Sequence, residues 1–335
     1  MDKIDFVVPW VDGSDIEWQK EKQKYQYDAS CDGSVARYRD WGLLRYWFRG
    51  IEKFAPWVNK VHFITCGHLP KWLNTKYDKL NIVLHKDYIP NEYLPTFSAN
   101  PIELNVHRIK GLSEKFVYFN DDCFILSPVK KNDFFDGDLP KDTAVLSAHC
   151  YKHSNVNSHY GISDVGLIND VFNFHDVIKR DVWKWMSPKY GLRLLLQTSC
   201  LIFAPRFPGF WQHHLPQSYC KSTFEEVWNT FPDVLDETCR HKFRNRFDVN
   251  HWLMREWKIC KGEFSPRSYR YGKSLVIEQD KEKELNVIAN YVKGQRGKCI
   301  SINDSDMNDE FFMYASNVLK NSFEEILSNK SKFEI

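Results

Sequence analysis

The fold of this chain is decided by the stretch KFVYFNDD, residues 115–122. The apolar run of residues 116–119 predicts a buried strand, and Asp121 and Asp122 follow almost directly. Ligands of open parallel sheets bind outside the carboxyl ends of strands. Paired carboxylates at such an edge suit Mg²⁺ or Mn²⁺ on a diphosphate substrate, because these cations prefer oxygen ligands. The short motif also fits two acids that cap a turn.

A second strand with a polar end begins the chain. Residues 4–11, IDFVVPWV, are rich in strand-forming types and continue into Asp12-Gly13-Ser14-Asp15. If this strand neighbours 115–119, the two acidic ends converge. Gly13 would then let a base or ribose approach the backbone closely. A DGSD sequence is also a common turn without any ligand.

The order of the predicted elements indicates the fold class. An amphipathic helix at 40–54 and short strands at 61–65 and 82–85 precede the decisive strand. Asn100 and Pro101 are typical of a helix start. Strands that alternate with helices predict an α/β, Rossmann-like fold with a mainly parallel sheet.

We expect a single catalytic domain over residues 1–335. Its parts are an α/β core at 1–150, a helical elaboration at 164–262 and a closing strand and helix at 298–327. The elaboration contains predicted helices at 171–186, 224–231 and 248–261. Residues 328–335 are expected to form a frayed tail.

Composition excludes several classes of protein. Lys+Arg 46 against Asp+Glu 44 leaves a net charge of +2, whereas nucleic-acid binders have a clear basic excess. The nine cysteines are scattered and form no CxxC pair, which favours reduced thiols over a zinc site or a disulfide framework. We see no signal peptide and no apolar run of about 20 residues, so we expect a soluble, cytoplasmic protein. P-loop, GxGxxG and HExxH motifs are absent.

Two groups of basic residues could contact phosphate. The first, at a predicted helix start, contains Arg37, Arg39, Asp40 and Arg45; a solvated polar helix face is equally consistent with it. The second combines the pair His213-His214 with the basic segment 240–246. Histidine can act as a general base or acid and arginine can stabilise a transferring phosphoryl group, although such a histidine pair is often structural.

Taken in order, four separated blocks resemble the Stealth family of bacterial capsular and cell-wall polysaccharide phosphotransferases, which are related to the animal N-acetylglucosamine-1-phosphotransferase. The first block is residues 4–15. The second runs from Arg39-Asp40 through His107-Arg108 to Asn120-Asp121-Asp122. The third runs from residues 212–216 to Arg244 and Asp248, and the last is residues 299–304.

The resemblance implies a glycosyltransferase-A-like sheet and transfer of a hexose- or N-acetylhexosamine-1-phosphate from a UDP-sugar to a polysaccharide hydroxyl, with release of UMP. It implies catalytic roles for Asp122, His214 and Arg244, and a Mg²⁺ or Mn²⁺ ion on Asp121, Asp122 and Asp304. The implied donor-binding residues are Asp12, Arg39, Asp40, Arg45, Asn120, His107 and Arg108. The acceptor would be an oligosaccharide or a lipid-linked polysaccharide, which would bring the protein to the inner face of the plasma membrane.

Two other functions are compatible with the local motifs. A metal-dependent glycosyltransferase would use the same sheet, metal and donor but would release UDP. A non-catalytic carbohydrate-binding protein would account for the aromatic content of 16%.

Overall fold

The computed structural model describes residues 3–26, 38–150 and 156–335, so that Arg37 lies outside the described residues. Within these ranges the strands are β1 Ile4–Pro9, β2 Val61–Thr65, β3 Leu80–Leu84, β4 Lys115–Tyr118, β5 Cys123–Ile125, β6 Phe135–Asp136, β7 Leu139–Asp142, β8 Gln217–Cys220, β9 Ser265–Pro266, β10 Gly272–Val276 and β11 Cys299–Asn303. The α-helices are α1 Ile16–Tyr25, α2 Leu44–Phe54, α3 His85–Tyr88, α4 Ala99–Leu104, α5 Lys131–Phe134, α6 Val156–Val171, α7 Phe174–Arg180, α8 Val182–Trp185, α9 Gly191–Leu201, α10 Lys221–Thr230, α11 Pro232–Arg240, α12 Trp252–Lys261, α13 Glu282–Lys293 and α14 Asp309–Ile326.

A five-stranded sheet with the order β3-β2-β1-β4-β8 forms the centre of the molecule. Strands β3, β2, β1 and β4 are parallel, and β8 pairs antiparallel with β4 at the edge. The strand order reverses between β1 and β4, and such a switch point opens a crevice at the carboxyl ends of the strands. The predicted α/β, Rossmann-like, mainly parallel sheet is confirmed.

Each face of the sheet is covered by helices. Along β1, Phe6 and Val8 belong to a core shared with α2, α13 and α14, whereas Val7 belongs to a core shared with α4, α7, α10 and α12. This alternation follows from the two-residue period of a strand. Because both faces are buried, β1 reads as an apolar run that only Asp5 interrupts.

A second sheet brings the C-terminal part of the chain to the switch point. Strand β11 lies between β10 and β5, and β5 starts immediately after Asp122. The amide of Ile302 donates to the carbonyl of Asp122 at 3.0 Å. The segment after β11, which starts with Asp304, is therefore next to the end of β4.

Three helix predictions need correction. The single helix expected at 171–186 is divided, because α6 ends at Val171, Asn173 caps α7 and α8 starts at Val182. The amphipathic helix expected from residue 40 starts at Leu44. Helix α4 starts at Ala99 with Ser98 as its cap, so Asn100 is not the capping residue.

The expected frayed tail is wrong. Phe333 is buried, and its ring centroid is 4.9 Å from that of Phe48. The Arg49 guanidinium donates to both carboxylate oxygens of Glu334, at 2.9 and 3.1 Å. The last residues are therefore held against α2 by a buried aromatic contact and a bidentate ion pair. In the part of the chain that the structure describes, no helix is long and apolar enough to cross a membrane.

Candidate active site

A cavity of about 800 Å³ opens at the carboxyl edge of the central sheet, at the β1–β4 switch point. Its walls come from segments that follow β1, β4 and β11, from the loop before α4, and from residues near β8 and α12. Among the lining residues are Trp10, Val11, Arg39, Asp40, Phe97, Ser98, Glu103, Asn120, Asp121, Asp122, His214, Arg244 and Asp304.

Asp122 and His214 form the central contact of this cavity. The Nε2 atom of His214 lies 3.0 and 3.1 Å from the two carboxylate oxygens of Asp122. Asp122 follows β4 in a tight turn, whose closing bond runs from the Cys123 amide to the Asn120 carbonyl at 3.0 Å. His214 precedes β8, the antiparallel neighbour of β4. Strand pairing thus brings together two residues that the sequence separates.

The negative charge of Asp122 raises the pKa values of two neighbouring groups, His214 and Asp121. Burial alone would lower the pKa of His214, but the negative charge and the hydrogen bond of Asp122 outweigh burial and raise it. Asp121 projects into the same cavity, where enclosure by protein and the charges of Asp122 and Asp40 raise its pKa to about 7. A carboxyl group whose pKa is raised in this way is typical of a cation-binding or catalytic site.

The two adjacent histidines have different environments. His213 is buried, and its Nε2 atom lies 3.6 Å from Asp142, which is held by a bidentate bond to Arg255. Burial, only partly offset by the Asp142 hydrogen bond, lowers the pKa of His213 to about 4. His213 is therefore structural, while His214 faces the cavity.

Arg244 reaches the cavity on the loop between α11 and α12. Asp248 holds this loop, because its carboxylate accepts from the Asn245 amide at 3.0 Å and from the Asn100 side chain at 2.9 Å. The Phe97 amide also donates to the Lys242 carbonyl at 2.8 Å. These bonds attach the Arg244 loop to the segment before α4, which also lines the cavity.

On a third wall, Arg39 and Asp304 face each other. Their charged groups are 4.0 Å apart, at the limit of an ion pair, and the Arg39 guanidinium lies over the ring of Phe312. The carboxylate oxygens of Asp304 are buried, and burial raises the pKa of Asp304 to about 6 although Arg39 opposes this. Asp304 is therefore a second enclosed acid in the cavity.

The predicted metal set of Asp121, Asp122 and Asp304 is not assembled as one group. In the described residues, only Asp122, Cys123 and His214 bring ligand atoms within 4.8 Å of one another. The Cys123 thiol is buried and donates to Asp122, and burial raises its pKa well above the usual value. A protonated thiol is a poor ligand, so the oxygen donors of Asp121 and Asp122 fit a hard divalent cation better.

Four residues predicted to bind the donor do not line the cavity. The Asp12 carboxylate accepts from the amide and the hydroxyl of Ser14 and so shapes the turn after β1. Arg45 is exposed on α2 and lies over Trp72. His107 packs between Phe224 and Trp228, and burial lowers its pKa to about 3. Arg108 lies over Trp228 as well. These contacts lie outside the cavity lining, and a role of the four side chains in donor binding stays a prediction.

Glu103 is a cavity residue to which sequence reasoning gave no role. It is buried on α4, and its carboxylate lies 3.9 Å from Nε2 of His251. The ring nitrogen on the other side of His251 is 2.7 Å from the Tyr219 hydroxyl. The only sequence signal is an acid three positions after Asn100, a spacing that is also typical of a helix cap.

Comparisons with known proteins agree with this architecture. Three family models match: Stealth protein CR1, conserved region 1, at residues 2–26; Stealth protein CR2, conserved region 2, at 37–142; and Stealth protein CR3, conserved region 3, at 213–257. The matched regions contain Asp121, Asp122, His214 and Arg244, whereas Asp304 lies outside them. The matched regions of the family therefore include residues that line the polar cavity at the switch point of the sheet.

Curated relatives match along the whole chain. A capsular polysaccharide phosphotransferase of Streptococcus pneumoniae is 41% identical over 100% of this chain and 98% of its own length. A receptor polysaccharide phosphotransferase of Streptococcus oralis is 38% identical over 100% of both chains. An exopolysaccharide phosphotransferase of Lactiplantibacillus plantarum is 39% identical over 99% of this chain and 96% of its own. The chain belongs to the Stealth family.

Solved structures resemble the chain only distantly. The bifunctional glycosyltransferase WbbM has a TM-score of 0.41 at 8% identity, covering 98% of this chain and 50% of that chain. Mouse xyloside xylosyltransferase 1 has a TM-score of 0.34 at 10% identity, covering 90% of this chain and 97% of that one.

Proposed function

We propose that this protein transfers a sugar-1-phosphate from a UDP-sugar to a hydroxyl of a surface polysaccharide and releases UMP. The observation that carries the proposal is the Asp122–His214 contact at 3.0 Å, in a cavity that Arg244 also lines. The full-length relatives, which are named polysaccharide phosphotransferases, support it. The cavity volume of about 800 Å³ is in the range of small-molecule sites.

The proposed reaction exchanges a phosphoanhydride bond of the donor for a phosphate ester bond to the acceptor. The acceptor oxygen forms a bond to the phosphorus that carries the sugar, and the bond from that phosphorus to the bridging oxygen of the diphosphate breaks, so that UMP leaves. With the Nε2 proton donated to Asp122, the lone pair of the neutral His214 ring is on Nδ1. Nδ1 takes the proton of the acceptor hydroxyl. Arg244 offsets the negative charge that develops on the phosphoryl oxygens.

Asp121 and Asp122 would hold a divalent cation. The donor set fits, because enclosure and neighbouring carboxylates make Asp121 hard to ionise without a counter-charge, as its pKa of about 7 indicates. When bound, such an ion supplies positive charge against the diphosphate. We propose Mg²⁺ or Mn²⁺, since the candidate ligand atoms are oxygens. Asp304, with Arg39, contributes to the wall of the same cavity.

The other proposed partners follow from this reaction. Arg39, Asp40 and Asn120 line the cavity and are the remaining candidates to contact the UDP-sugar. The acceptor is an oligosaccharide or a lipid-linked polysaccharide, and the protein works in the cytoplasm, at the inner face of the plasma membrane.

The test identifies the nucleotide product. Purified protein is incubated with Mg²⁺, a panel of UDP-sugars labelled at the β-phosphorus and capsular oligosaccharides. UMP together with labelled phosphorus in the glycan is the expected result. UDP with an unlabelled glycosidic product would identify a glycosyltransferase instead, and the absence of any nucleotide-sugar binding in calorimetry would favour a carbohydrate-binding protein.

A further inference from the structure

Helix α9 has an apolar face that points into solvent. Leu192 and Leu196 are 74% and 57% exposed, and Phe203, just after the helix end, is 87% exposed. Leu192, Leu196 and the exposed Cys200 recur every four residues, which places them along one side of the helix. We call the outward side of α9 together with Phe203 the α9 face. Contiguous exposed apolar side chains of this kind mark an interaction surface.

The α9 face is not needed to hold the helix in place. Leu194 and Thr198 are buried on the opposite side. There the Leu146 amide donates to the Thr198 hydroxyl at 3.3 Å, and the Gln197 side chain donates to the Leu146 carbonyl at 2.8 Å. Since the inward side already attaches α9 to the core, the outward leucines are available for a partner.

The charged residues in the segment that carries the α9 face have one sign. No acidic residue occurs between Asp181 and Glu225, although the whole chain contains 44 acidic and 46 basic residues. Lys189, Arg193 and Arg206 fall within this stretch and are exposed. A surface with this bias is complementary to an anionic partner.

The combination of exposed apolar side chains and positive charge distinguishes between a second copy of the chain and a lipid bilayer as the partner of the α9 face. A symmetric contact with a second copy would place the basic residues of both copies against each other, because the same patch meets itself. A bilayer with anionic headgroups accepts leucine and phenylalanine at the acyl boundary and cations at the headgroups. Trp183, 88% exposed on α8, belongs to the residue type that is enriched at membrane interfaces.

We propose that the α9 face binds the surface of a membrane that contains anionic lipid. The inference deepens the proposed function, which places the protein at the plasma membrane, but it rests on a surface outside the cavity and its readout is not activity. It assigns to α9 and Phe203 the task of holding the protein at a bilayer.

The experiment is flotation of the purified chain with vesicles of phosphatidylcholine, with and without phosphatidylglycerol. The wild type is expected to float with the anionic vesicles and to be released by high salt, since exposed charges are screened. The double variant Leu196→Ser/Phe203→Ser is expected to bind the anionic vesicles at least about tenfold more weakly than the wild type. Arg193→Glu is expected to weaken binding to the anionic vesicles only.

Matched controls lie on α13, where Val287 is 60% exposed and Lys283 is exposed. Val287→Ser and Lys283→Glu are expected to bind like the wild type. The proposal is overturned if the wild type remains unbound at low salt, or if the α13 variants lose binding to the same extent. It is also overturned if light scattering shows a wild-type dimer that Leu196→Ser/Phe203→Ser dissociates, and neither protein binds vesicles. The α9 face would then be a self-association surface.

Discussion

Nε2 of His214 lies 3.0 Å from the carboxylate of Asp122, although 92 positions separate the two residues in the chain. The antiparallel pairing of β8 with β4 creates this contact. The Asp122 carboxylate thereby fixes the orientation of the His214 ring and raises its pKa. A base that is oriented by another side chain is a common arrangement in enzymes.

The first prediction concerns this pair. His214→Gln and Asp122→Asn are each expected to lower the turnover number about 10²-fold or more, because each removes a group that acts on the transferred proton or charge. UMP release measures the effect, and circular dichroism checks the fold. His175→Gln, an exposed histidine on α7, is the control and should retain wild-type turnover. Near-full turnover of both site variants in a folded state would remove these residues from the mechanism.

The second prediction concerns the divalent cation. Chelation with EDTA is expected to abolish transfer, and Mg²⁺ or Mn²⁺ to restore it, because the acidic cavity needs a counter-charge to accept a diphosphate. Asp121→Asn should raise the Mg²⁺ concentration needed for half-maximal activity. Calorimetric titration of Mg²⁺ into the wild type and the variant gives a readout independent of turnover. Activity that EDTA leaves unchanged would contradict the assignment of Asp121 and Asp122.

The third prediction concerns the pH dependence of stability and two buried acids of the helical elaboration. Burial raises the pKa of Glu256 to about 8, and burial and the charge of Glu256 raise that of Asp164 well above its usual value. Among the described residues, Oδ2 of Asp164 and Oε2 of Glu256 have no hydrogen-bond partner. The folded state therefore holds protons on these two carboxyls that the unfolded state releases, so their contribution to stability falls as pH rises from about 4.5 to about 8.

Glu256→Gln tests this dependence, since the amide is uncharged throughout the range. The slope of its free energy of unfolding against pH should be more positive than that of the wild type, by up to about 1.4 kcal/mol for each pH unit in that window. Urea unfolding at pH 5, 6, 7 and 8 provides the measurement, with the exposed Glu225→Gln as the control. Parallel pH profiles for wild type and Glu256→Gln would show that the carboxyl is not held protonated.

The fourth prediction concerns the C-terminal segment. Phe333→Ala is expected to lower the free energy of unfolding by about 3–5 kcal/mol, because it empties a buried position against Phe48 and Tyr77. Ile335→Ala, at an exposed position, should change it by less than about 0.5 kcal/mol. Urea midpoints of the two variants decide the matter. Equal midpoints would mean that the segment is not packed as described.

Local patterns predicted much of the fold. The apolar runs of β1 and β4, the helical spacing of α2 and the last strand and helix are encoded within a few residues, because strand and helix periods are local properties. The breaks in the elaboration were missed, although Asn173 and Asp181, at the two ends of α7, are residue types that are unfavourable inside helices.

The sequence by itself determined that apolar strands end in acids, and the family resemblance pointed to Asp122, His214 and Arg244. Only the tertiary structure decided that His214 and not His213 faces the cavity, that Asp12, Arg45, His107 and Arg108 lie elsewhere, and that the last residues pack against α2. These outcomes depend on which strands pair and which side chains are enclosed. Pairing and enclosure join residues that are far apart in the chain, and no local period encodes them.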